Sequence, residues 1–78
     1  RQMCIRDRCY FRAMEYLGLP REKIFAVEDS LSGVEAATRA GLVCIGIREE
    51  NSVPDADEIR ARTALYFDDY AAFLSWLG

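Results

Sequence analysis

Apolar and polar positions repeat along the chain with two different periods, and the period changes several times. Residues 9–18, CYFRAMEYLG, place apolar side chains three and four positions apart and end at a glycine, which is typical of an amphipathic helix. The same spacing returns in residues 30–41 and again in residues 68–78. Between these segments lie short continuous apolar runs of the kind that form buried strands. The runs are residues 24–28, 42–47 and 64–67.

The order of these segments predicts an α/β fold. Helices and strands alternate, which favours a three-stranded parallel sheet flanked by helices on both faces. Residues 48–58, REENSVPDADE, are polar and contain a proline, so they predict a loop, and residues 58–62 predict one helical turn. So narrow a sheet is expected to leave an edge exposed. Expected to face the core are Tyr10, Phe11, Met14, Leu17, Leu31, Val34, Ala37, Thr38, Tyr70, Phe73, Leu74 and Leu77.

Composition and charge narrow the classes of function. The chain has 78 residues and a net charge of −3, which disfavours nucleic acid and anionic membrane surfaces as partners. No apolar run reaches the roughly 20 residues that a membrane span needs. Histidine is absent, which excludes a histidine triad or a histidine-ligated zinc. The three cysteines lack metal-binding spacing, so we expect a reducing, cytoplasmic location, with Cys9 and Cys44 as buried, inert thiols.

The first eight residues, RQMCIRDR, differ from the rest of the chain in showing neither a helix nor a strand period. They resemble the in-frame translation of a transposon-end sequencing adapter. The alternative is an ordinary disordered basic terminus. On either interpretation residues 1–8 carry no function, and the adapter interpretation implies that the natural upstream sequence is missing.

Two adjacent acids, Glu28 and Asp29, follow a predicted strand and precede a predicted helix. Ligand sites of parallel α/β sheets collect at the carboxyl ends of the strands. Neighbouring carboxylates repel each other and need a cation or protons, and Mg²⁺ prefers such oxygen ligands. This placement suggests metal-assisted phosphate chemistry. A plainer interpretation stays open, in which Asp29 or Ser30 caps the helix and Glu28 is solvated.

Residues 27–47, VEDSLSGVEAATRAGLVCIGI, resemble the fourth motif of the haloacid dehalogenase (HAD) superfamily, and more narrowly its β-phosphoglucomutase-like and sugar-phosphate phosphatase branch. The resemblance covers residues 9–78, as the C-terminal fragment of a Rossmann-like HAD core. It implies that Asp29 and Glu28 bind Mg²⁺, with Asp29 the more direct ligand. It also implies that Ser30 supports the loop and that Gly33 permits the tight start of the helix.

The same resemblance implies a reaction for the full-length parent. A nucleophilic aspartate on an Asp-x-Asp strand would attack a small phosphorylated metabolite, such as a sugar phosphate, and form an aspartyl-phosphate. That strand is absent from this chain. The family's Lys-Pro-x-Pro-Asp motif would fall on positions 4–8, where Cys4, Ile5, Asp7 and Arg8 do not match it. No catalytic residue is therefore assigned, and the 78-residue chain is expected to be inactive.

Two other classes remain open. A response-regulator receiver domain also has an acidic pair after a strand, and Asp68 could imitate its phospho-acceptor, but no lysine follows Lys23. A non-catalytic interaction fragment would use exposed aromatic residues such as Trp76, although aromatic residues at helical spacing usually belong to a core. The oligomeric state, the substrate and the choice between phosphatase and mutase do not follow from the sequence.

Overall fold

The computed structural model describes the backbone of residues 5–78 and the side chains of Arg8 and of residues 10–78. Four α-helices and three β-strands alternate along this part of the chain. They are α1 (Ile5–Leu17), β1 (Phe25–Glu28), α2 (Leu31–Arg39), β2 (Val43–Ile47), α3 (Ala56–Arg62), β3 (Leu65–Phe67) and α4 (Tyr70–Leu77). Short 3₁₀ helices occupy Arg21–Lys23 and Glu50–Asp55.

The three strands form one parallel sheet in the order β1-β2-β3. This confirms the predicted α/β fold and its three-stranded parallel sheet. Register places Glu28 beside Gly46, and Gly46 beside Tyr66, so one row of side chains crosses all three strands. The carboxyl ends of the strands therefore share one edge of the sheet, which we call the rim.

Helices cover the two faces of the sheet unequally. Side chains alternate between the faces along each strand. On one face Ala26 and Cys44 form a buried core with residues of α1, α2 and α3. On the other face Ile45 and Ile47 form a smaller buried core with Phe73 of α4, and Val27 and Phe67 pack against it partly buried. The prediction of helices on both faces is confirmed.

Several element boundaries differ from the predictions. Helix α1 begins at Ile5, so residues 5–8 are helical, although they were expected to lie outside the helix. The predicted loop 48–58 instead contains a 3₁₀ helix and the start of α3. Two local interactions accompany these elements. The Glu49 side chain accepts a hydrogen bond from the Asn51 N–H at 2.9 Å, and Arg62 pairs with Glu58 at 2.8 Å within α3.

Some side chains expected in the core are exposed. Leu17 is exposed at the end of α1, and Tyr70, Leu74 and Leu77 are exposed on α4. Thr38 is also exposed, and its hydroxyl donates to the Val34 carbonyl one turn earlier. The other expected core positions are buried or partly buried.

The cysteine predictions have separate outcomes. Cys44 is 3% exposed, which confirms that it is buried. Burial raises the pKa of its thiol to about 11, with a smaller contribution from the charge of Glu28. The side chain of Cys9 lies outside the described residues. Within residues 5–78, no helix combines the length and the apolar character needed to cross a membrane.

Candidate functional site

The acidic pair lies at the rim. Glu28 is the last residue of β1, and Asp29 follows it directly, before α2 begins. Arg48 and Asp68 occupy the corresponding positions after β2 and β3. A strand does precede the pair, and the pair lies where parallel α/β sheets place their ligands.

Ser30, and not Asp29, caps α2. Its backbone is extended (φ −134°, ψ 153°), and its hydroxyl accepts a hydrogen bond from the Gly33 N–H at 3.1 Å. This is the geometry of a helix N-cap. Gly33 is buried in the first turn of α2, and its φ is not positive, so no left-handed conformation explains this glycine. Ser30 therefore organises the loop that joins β1 to α2.

The Asp29 carboxylate is not engaged by the described residues. Its side chain is partly exposed, and it makes no hydrogen bond or ion pair with any residue that the structure describes. Because Ser30 satisfies the cap, the Asp29 carboxylate is not needed for that purpose. It also lies beside the positive end of the nine-residue helix α2, where a negative charge is favoured.

Glu28 is in a different environment. Its row of the sheet faces α1, α2 and α3, the side that also holds Cys44. The hydroxyl of Tyr10, on α1, donates a hydrogen bond to the Glu28 carboxylate. One of the two acids is therefore held by the helix layer, whereas the other is open at the rim. The polar contact with Tyr10 was not predicted, because the helical pattern indicates only that Tyr10 faces inward.

Carboxylate oxygens suit Mg²⁺, which usually completes its shell with water and substrate phosphate. Among the residues that the structure describes, no three Cys, Asp or Glu side chains come together as a metal-binding group. Asp68 lies two strands from the acidic pair, a separation of about 10 Å. At the rim the described residues thus place the partly exposed Asp29 carboxylate beside Glu28, whose carboxylate accepts a hydrogen bond from Tyr10.

A concave region lies at the opposite end of the sheet from the rim. This open cleft of about 680 Å³ is lined by Met14, Pro20, Arg21 and Val43, among others. It adjoins the amino ends of the strands, so it is not part of the rim.

Comparison with known proteins adds no assignment. No protein-family model matches the chain, and no solved structure matches it. The family resemblance therefore rests on the residues themselves, above all on the segment from Val27 to Ile47.

Proposed function

We propose that residues 9–78 are the C-terminal fragment of a HAD-like hydrolase core, whose parent transfers the phosphoryl group of a small phosphate ester such as a sugar phosphate. One observation carries the proposal. Asp29 presents an unengaged carboxylate at the carboxyl end of β1, directly before a helix that Ser30 caps. This arrangement supports a magnesium ligand because the cap leaves the acid free.

The residues would share the work at this site. Asp29 would hold Mg²⁺, Glu28 would add negative charge beside it, and Ser30 fixes the start of α2 by accepting from the Gly33 N–H. Bound Mg²⁺ would supply neutralisation of the phosphate charge. The nucleophilic aspartate would come from upstream in the parent, and water or a second sugar hydroxyl would accept the phosphoryl group. The 78-residue chain alone holds only the metal-binding side of this site.

Paramagnetic broadening by Mn²⁺ tests the metal site, because Mn²⁺ takes the same oxygen ligands and weak binding is visible by NMR. Amide signals of residues 28–32 should broaden first, together with those of neighbouring rim residues such as Arg48. With a partial ligand set, we expect half-saturation at roughly millimolar Mn²⁺. Added Mg²⁺ should reverse the broadening by competition.

Two asparagine variants give the control. Asp29→Asn should remove the localised broadening. Asp57→Asn should leave it unchanged, because Asp57 is fully exposed on α3 and its partner is Arg60. Broadening that begins elsewhere, or that persists in Asp29→Asn, would contradict the metal-binding role. An Asp-x-Asp strand encoded upstream of Cys9 in the source genome would separately distinguish the phosphatase from a receiver domain.

A further inference from the structure

Helix α4 has an unusual surface for an exposed helix. Its sequence, YAAFLSWL, contains no charged residue, and helices that are apolar all round are normally buried. Only Phe73 is buried, where it packs on the sheet. Tyr70, Leu74, Trp76 and Leu77 are each more than half exposed.

Part of the sheet face beside α4 is also uncovered, at the amino ends of the strands. Phe25, Val43 and Leu65 begin the three strands and point to the same face as Ile45 and Phe67. They are 45%, 53% and 40% exposed. Phe25 lies directly beside Val43 in the register, and Leu65 lies beside Ile45, two residues beyond Val43, so the three exposed side chains form a staggered apolar strip near the amino ends of the strands. We call this strip and the exposed side of α4 together the apolar face.

We infer that the apolar face binds a second copy of this chain, with α4 of each copy covering the strand-end strip of the other. One chain carries both complementary parts, an apolar helix surface and an apolar sheet strip. A two-fold axis lets each part meet its counterpart, as in an isologous dimer. The apolar face contains no charged side chain, so two chains of net charge −3 can meet there without placing like charges in contact.

The available area agrees with a dimer. Half-exposed side chains of this size leave about 100 Å² each, so the seven residues of the apolar face offer about 700 Å². A standard interface buries about 800 Å² per partner.

Sedimentation equilibrium between about 1 and 200 µM chain tests this inference, with an expected dissociation constant on the order of 10 µM. The mass should rise from 8.9 kDa and stop at twice that value. Trp76 is the only tryptophan and lies in the apolar face, so its emission should shift to the blue over the same concentrations. Leu74→Gln and Val43→Thr should each weaken association about tenfold or more.

Val53→Thr is the matched control, because Val53 is 40% exposed on the Glu50–Asp55 3₁₀ helix, outside the apolar face. It should leave the dissociation constant unchanged. Far-UV circular dichroism verifies that each variant folds. The two substitutions in the apolar face lie on different elements, so the test remains possible if one of these variants fails to fold. The inference would be overturned by a mass that stays at that of one chain, or that rises past two chains without a plateau. It would also be overturned if Val53→Thr weakened association as much as Leu74→Gln and Val43→Thr do. A monomer would instead leave the apolar face to upstream residues of a longer protein.

Discussion

Removing the Ser30 hydroxyl tests the division of roles at the rim. In Ser30→Ala, the Gly33 N–H loses the acceptor that it now has at 3.1 Å. Loss of an N-cap costs about 1 kcal/mol. For 78 residues, the unfolding entropy is about 0.16 kcal/mol/K, so the melting temperature should fall by about 6 °C. Thermal and urea unfolding, followed by far-UV circular dichroism, measure both quantities.

Ser32→Ala is the matched control for this substitution. Ser32 is exposed, and its hydroxyl lies 3.5 Å from that of Ser30, at the limit of a hydrogen bond. Ser32 is the second residue of α2, a helical position that alanine also accepts. We therefore expect a change within about 0.5 kcal/mol. Ser30→Thr retains a capping hydroxyl and should recover most of the lost stability.

Asp29→Ala completes the comparison. An acid beside a helix N-terminus contributes by its charge, and salt screens that contribution. At about 0.5 M salt, Asp29→Ala should therefore be nearly neutral while Ser30→Ala keeps its cost. If Asp29→Ala were the more damaging substitution, Asp29 would be the cap. Its carboxylate would then be engaged by the helix and would not be free for a cation.

Three further outcomes follow from the structure. Gly46→Ala should lower the free energy of unfolding by about 1–3 kcal/mol in urea titrations, because a Cβ there would lie 2.9 Å from the Tyr66 ring and 3.0 Å from Ile59. An unchanged urea midpoint would show that the neighbours yield freely. The free energy of unfolding should also fall as pH rises from 9 towards 11, because the unfolded Cys44 thiol ionises near 9 whereas its folded pKa is about 11. In urea titrations at several pH values, the free energy of unfolding should decline less for Cys44→Ala than for the unsubstituted chain. An equal decline in both would exclude this thiol as a cause. Finally, the 78-residue chain should release no phosphate from sugar phosphates in a malachite-green assay with Mg²⁺. Mg²⁺-dependent turnover would contradict the prediction that this chain lacks the nucleophilic aspartate.

The strands could be predicted because a short buried strand requires an uninterrupted apolar run. The three runs that predicted strands contain all three strands, and the boundaries differ by one residue at most. Helix α3 was predicted only in part. Its acidic first turn and its arginines at 60 and 62 are sound helix signals, but Pro54 and the polar sequence before it obscured where the helix begins.

The candidate site could be located from sequence but not resolved in detail. Asp and Ser cap helices about equally well, so only the backbone geometry and the bond to Gly33 assign the cap to Ser30. The contact between Tyr10 and Glu28 joins residues 18 positions apart. Periodicity places each residue on its own element. It does not determine which side chains meet when the layers pack.

The incorrect burial predictions for α4 have a geometric cause. A helix of eight residues is about 12 Å long and about 10 Å wide. A face of three strands is about 14 Å wide, and five residues extend it to about 16 Å. One such helix covers about half of that face, and its own outer side stays in water. One copy of the chain therefore has no element that could bury Tyr70, Leu74 and Leu77 among its described residues. A second copy would supply the apolar surface that buries them.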